Sequence, residues 1–154
     1  MILVDTCGWI EWLTGGALSD RFAPYMKDAS DLLVPTTVQY ELYKWVKRES
    51  DETTAHDTIA LADSSLIVPL TTEIALMAAD LTLLHKLAFA DAVIYASARK
   101  HKVELIIRNE CQISAFQLPM ISKFSVSSVR SCGTYASSLA KNCRQASLNF
   151  SNVS

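Results

Sequence analysis

Glycine is scarce: four residues, at positions 8, 15, 16 and 133, in a chain of 154. That scarcity excludes a glycine-rich phosphate loop and a dinucleotide-binding fingerprint, both of which need glycines at fixed offsets. The four cysteines, Cys7, Cys111, Cys132 and Cys143, form no C-x-x-C pair and have no histidine at ligand spacing. A zinc site or a disulfide framework therefore has little support. No apolar run approaches the roughly eighteen residues that span a bilayer. The N-terminus lacks a basic leader followed by a long apolar stretch, so no signal peptide is expected. A soluble cytoplasmic protein without membrane association is the default.

What the chain does have is apolar bulk. Half of its residues (50%) are hydrophobic and the mean hydropathy is +0.19, enough for one domain with a real core. Its charge is unevenly spread. Residues 1–106 carry 9 Lys/Arg against 15 Asp/Glu, a net −6, whereas 107–154 carry 5 against Glu110 alone, a net +4. An acidic body is a poor match to duplex DNA, which is held through many phosphate contacts. It suits a protein that gathers carboxylates around a cation.

Short aliphatic runs alternate with longer amphipathic ones. Ile2–Val4, Leu32–Val34, Leu66–Val68 and Val103–Ile107 read as buried strands. Between them, helices are expected over Trp9–Leu13, Leu18–Met26, Val38–Ser50, Asp51–Ser64, a segment capped by Thr71 or Thr72, and Leu87–Lys102. Pro35 stops the second strand, and Thr36 or Thr37 can cap the helix that follows. The pattern predicts an α/β domain with a mainly parallel sheet.

Three acids stand in matching contexts. Asp5 ends the first strand, where open α/β sheets place their ligands; alternatively, Asp5 or Thr6 caps the next helix. Glu41 lies among Tyr40, Leu42 and Tyr43, close to an apolar stripe; the plainer role is a solvated acid paired with Lys44 or Arg48. Asp91 interrupts an alanine-rich apolar run, where a charge is costly to bury without a partner, or else caps a helix. Carboxylates brought together repel unless something positive sits between them. Mg²⁺ or Mn²⁺ is the natural choice, since hard cations take oxygen ligands and keep waters.

The segments VDTCGWIEWL, PTTVQYELYKWVKRE and KLAFADAVIYASARKHKVELI occur in an order and spacing that resemble the PIN-domain family, and within it VapC-type toxins of toxin–antitoxin pairs. The likeness covers residues 1 to about 107. It implies a three-layer α/β/α fold with a mainly parallel sheet of four to five strands, a homodimer and a cognate antitoxin. It also implies a metal-dependent ribonuclease cutting single-stranded regions of RNA. By position, Asp5, Glu41 and Asp91 correspond to three of the family's four acids, as catalytic and metal-binding residues, and Thr6 would help hold waters around the metal. Lys44, Lys47, Arg48 and Arg99 are candidates for steering RNA, or else line a solvated helix face. A phosphatase using Asp5 is set aside, because Cys7 occupies the place of its second Asp.

The family's fourth acid is missing. Asn109 stands where it is expected, and Glu110 is one residue off. Residues 122–154 contain ten serines and no acid, which reads as a poorly packed or disordered end. The expected division is therefore a PIN-like domain over 1–121 and a serine-rich extension over 122–154, either a frameshifted or replaced terminus or a divergent one. The alternative function is a catalytically inactive PIN scaffold that still binds its antitoxin.

Overall fold

The computed structural model describes residues 1–107; Asn109, Glu110 and the serine-rich 122–154 segment lie outside the described residues. The chain begins with β1 (Ile2–Val4), α1 (Thr6–Thr14) and the single turn α2 (Ser19–Phe22). It continues with β2 (Leu32–Pro35), α3 (Thr36–Glu49), α4 (Glu52–Ala62) and β3 (Leu66–Val68). It then runs through α5 (Thr72–His85), α6 (Phe89–Lys100) and β4 (Leu105–Ile107). All strand pairs are parallel, in the order β3-β2-β1-β4, with Leu3 opposite Leu33 and Ile106. This is a three-layer α/β/α architecture with four strands among the described residues. β2 is buried along its whole length, as an inner parallel strand covered on both faces must be.

The core forms where the strands' aliphatic side chains meet helix stripes. Val38, Leu42 and Val46 of α3, at helical spacing, are fully buried. On α5 the buried stripe is Ile74, Ala78 and Leu81, while Leu84, at helical spacing from Leu81, is 75% exposed. Trp9 is fully buried, whereas Trp12 is half-buried and meets it edge-on at 6.0 Å. The expected Leu18–Met26 helix shrinks to one turn. Ala23 before Pro24 is still helical, but Pro24 has no N–H to continue the hydrogen-bond ladder, and Phe22 and Met26 still reach the core.

Caps set the helix starts. Asp51 accepts from Thr54 N at 2.8 Å and opens α4; Thr71 accepts from Ile74 N at 3.4 Å and opens α5. Neither Thr36 nor Thr37 caps α3. Pro35 occupies that position without a side-chain cap, and Thr36 Oγ1 instead accepts from Leu70 N at 3.3 Å.

The α1–sheet contact is close enough to require glycine. A Cβ on Gly8 would sit 2.7 Å from Val4 Cγ1 and 2.8 Å from Phe22 Cε1, both on buried side chains. Gly8→Ala gains about 1 kcal/mol of helix propensity. Overpacking costs about 1–3 kcal/mol, and neither neighbour is free to swing away. The net expectation is a lower midpoint in urea unfolding; a raised midpoint would show that α1 can shift off the sheet.

Candidate functional site

Two helices start at the carboxyl edge of the sheet with no linker. Thr6 follows Asp5 directly after β1, and Thr36 follows Pro35 directly after β2. Because β1 and β2 are parallel neighbours, the first turns of α1 and α3 emerge side by side. Asp5 is 5% exposed, and its Oδ1 accepts from Thr6 N at 2.7 Å, so the carboxylate does cap α1. Thr6, also buried, turns its hydroxyl the other way and donates to Glu41 Oε2 at 2.5 Å. That bond crosses from α1 to α3. It brings Glu41 to the residue beside Asp5 and removes it from the surface ion pairs a helix glutamate usually makes.

Asp91 stands in the first turn of α6, half-buried. The far end of α6 closes on the amino edge: Val103 N donates to Ala98 O at 2.9 Å and Glu104 N to Met1 O at 3.2 Å. A helix of about 18 Å therefore starts on the carboxyl side, the side of Asp5 and Glu41. An acid in a first helical turn is also favoured by the exposed amides there.

The three acids do not close into one group. Among the described residues, no three His, Cys, Asp or Glu side chains are gathered so as to hold a metal ion. Asp5 and Glu41 are brought together through Thr6, and Asp91 shares their side of the sheet. Asp5 takes its donor from the first amide of α1, and Glu41 takes its donor from α1 across the gap. The donor set still fits Mg²⁺ or Mn²⁺. It consists of hard oxygens only, and such ions are commonly held by one or two carboxylates while keeping several waters.

Two residues take roles that sequence patterns do not reveal. Thr6 positions Glu41 directly instead of facing solvent. Thr37 Oγ1 is buried with no hydrogen-bond partner among the described residues. An i, i+4 relation to Glu41 was the available signal, since such residues share a helix face.

The basic candidates sit differently. Lys44 lies over the Tyr40 ring at 5.1 Å, Lys47 pairs with Glu52 at 2.7 Å, and Arg48 pairs with Glu49 at 2.7 Å. The Glu52 partner and the Tyr43 hydroxyl raise the Lys47 pKa, and Lys47 in turn lowers that of Glu52. Lys47, Arg48 and Arg99 occupy the last turns of α3 and α6, at the ends opposite Glu41 and Asp91.

The family model of the PIN domain matches residues 2–114. The chain belongs to the PIN-domain family. This PIN domain shares its fold with a toxin–antitoxin complex from Klebsiella pneumoniae (TM-score 0.66, 21% identity, covering 80% of this chain and 97% of that one). It also shares it with VapC20 of Mycobacterium tuberculosis, a sarcin-ricin loop cleaving toxin (TM-score 0.58, 20% identity, covering 69% and 87%). No curated protein matches it in sequence. No helix among the described residues is long and apolar enough to cross a membrane.

The Thr6–Glu41 bond carries a measurable consequence. A hydrogen bond to a charged acceptor contributes about 1.5–3 kcal/mol. Thr6→Val, which keeps shape and removes the donor, is expected to lower stability by about 2 kcal/mol in chemical unfolding, and Thr6→Ser to restore most of it. Equal stability of the valine and serine variants would mean the bond contributes nothing.

Proposed function

We propose that this PIN domain is a VapC-type toxin, a ribonuclease that cuts single-stranded regions of RNA with Mg²⁺ or Mn²⁺ held by Asp5, Glu41 and Asp91. The observation that carries this reading is the Thr6–Glu41 hydrogen bond beside Asp5 at the carboxyl edge, in a chain of the PIN family. A divalent ion bound there supplies a more acidic water as nucleophile and neutralises charge developing on the phosphodiester. The chain's own contribution is placement. The α1 amide of Thr6 fixes Asp5, the Thr6 hydroxyl fixes Glu41, and α6 brings Asp91 from the same side of the sheet. Oxygen ligands aimed by their neighbours lose little freedom when the cation arrives. Lys44, one turn from Glu41, is the basic residue best placed to meet the RNA backbone; Lys47, Arg48 and Arg99 steer from farther off.

Partners follow the same reading. The Klebsiella pneumoniae structure is a toxin–antitoxin complex, which supports a cognate antitoxin for this chain. Its docking would involve the half-buried Trp12, since Trp9 lies within the core. A homodimer is supported by apolar side chains left in water: Leu76, Leu83 and Leu84 of α5 are 64%, 82% and 75% exposed, and Phe89 is 66% exposed. Monomers rarely leave such clusters uncovered. The protein acts in the cytoplasm, with residues 1–121 as the PIN unit and 122–154 as an extension.

A second reading, a PIN scaffold that binds its antitoxin without cutting, is favoured by Asn109 in place of the fourth acid. A neutral carbonyl oxygen holds Mg²⁺ less tightly than a carboxylate. Cleavage of single-stranded RNA with Mn²⁺ separates the two. Activity that falls about a hundredfold in Asp5→Asn, Glu41→Gln and Asp91→Asn supports the nuclease. Activity that appears only in Asn109→Asp supports the scaffold, and loss in Glu110→Gln alone identifies Glu110 as the replacement acid.

Dimerisation has its own test. Leu83→Lys places a charge in the exposed apolar cluster and is expected to halve the mass measured by light scattering. An unchanged dimer would locate the interface elsewhere.

A further inference from the structure

The Thr37 hydroxyl has no role in the fold. Its Oγ1 is buried and meets no donor or acceptor among the described residues. Leaving a hydroxyl unpaired away from water costs free energy, so such groups are rare and call for an explanation. Capping does not explain it, since Pro35 is the N-cap of α3 and Thr36 spends its hydroxyl on Leu70 N. Nor does packing, because valine would fill the same space without the polar atom.

Its position does. Thr37 precedes Glu41 by one helical turn, so the two side chains share a face of α3. Helical side chains lean toward the N-terminus, which tilts Glu41 toward Thr37 and Thr37 toward the carboxyl edge of the sheet. That face is the one α1 meets, because Thr6 donates to Glu41 Oε2 across the gap. Glu41 therefore takes one hydroxyl, that of Thr6, and shares its helix face with a second that is unspent. A hydroxyl has both a proton to give and lone pairs to accept with, and suits an oxygen ligand or a water that comes and goes.

We propose that Thr37 is a further positioning residue of this site: its buried, unspent hydroxyl completes the hydrogen-bond shell of a water held between Glu41 and the divalent cation. The inference rests on the metal-site reading given above. Groups in this position orient the ligands, and removing one typically weakens metal binding by about 10–100-fold.

Two opposite effects are expected from one substitution. Thr37→Val removes the unpaired hydroxyl at constant shape, so the metal-free protein should melt at a higher temperature than the wild type. The same variant should bind Mn²⁺ about tenfold more weakly by calorimetry, with a smaller Mn²⁺-dependent rise in midpoint. Thr37→Ser, which keeps the hydroxyl, should restore both values, something a purely structural role would not produce. Wild-type affinity for Mn²⁺ in Thr37→Val overturns the inference while leaving the metal site intact. No Mn²⁺ binding by the wild type overturns the metal site itself, and this inference with it. Should Thr37→Val fail to fold, Thr37→Ala carries the Mn²⁺ comparison with the same outcomes.

Discussion

The carboxyl edge of this protein depends on the parallel pairing of Ile2–Val4 with Leu32–Pro35. Each strand passes into a helix without an intervening loop, so the register of the pair also sets the register of α1 against α3. Leu3 opposite Leu33 puts Thr6 and the first turns of α3 within one hydrogen bond of each other. A slip of a single residue would turn the aliphatic side chains of β1 to the opposite face, and the burial of Leu3 and Val4 resists that slip. Hydrophobic burial in the sheet thus fixes a polar geometry at its edge.

Glycine and threonine hold that geometry at short range. Gly8 lets α1 lie close enough over Val4 for Thr6 to reach across, and it is replaced by nothing larger without displacing buried neighbours. Thr6 then acts as a joint, its amide serving one carboxylate and its hydroxyl the next. The second half of the domain closes the arrangement from a distance. Lys100 of α6 meets Glu73 of α5 at 2.5 Å near the amino side, and the turn after α6 is bonded to Met1. Those contacts orient α6 so that Asp91 starts from the carboxyl side.

Much of this was legible in the residues. The four strands were marked by aliphatic runs bounded by Asp, Pro and Ser, and the long helices by apolar spacing. Of the two expected caps of α5, Thr71 is the one used, and Asp51, expected as the first helical residue, caps α4 instead. Failures were local and have identifiable causes. Leu18–Met26 has helical spacing, but Pro24 limits the helix to one turn, and the core takes Phe22 and Met26 from a turn instead. Thr36 and Thr37 have the chemistry of caps, yet the chain enters α3 through Pro35, whose fixed φ already suits a helix entry. Leu84 continues the spacing on paper, but it falls beside the face of Ile74, Ala78 and Leu81 that α5 buries and is left in water.

The acids divide along the same line. That Asp5, Glu41 and Asp91 belong together in kind was visible from their settings in the sequence, because a carboxylate after a buried strand or inside an apolar run is unusual enough to notice. How they relate in space was not visible. Two of them are linked through Thr6, the third approaches on another helix, and no described three-acid group forms. Sequence determines periodicity, capping chemistry and composition, since these act over a few residues. The Thr6–Glu41 bond spans thirty-five positions, and the orphaned Thr37 hydroxyl depends on everything packed around it. Only the folded sheet, by choosing which strands are neighbours, decides contacts of that kind.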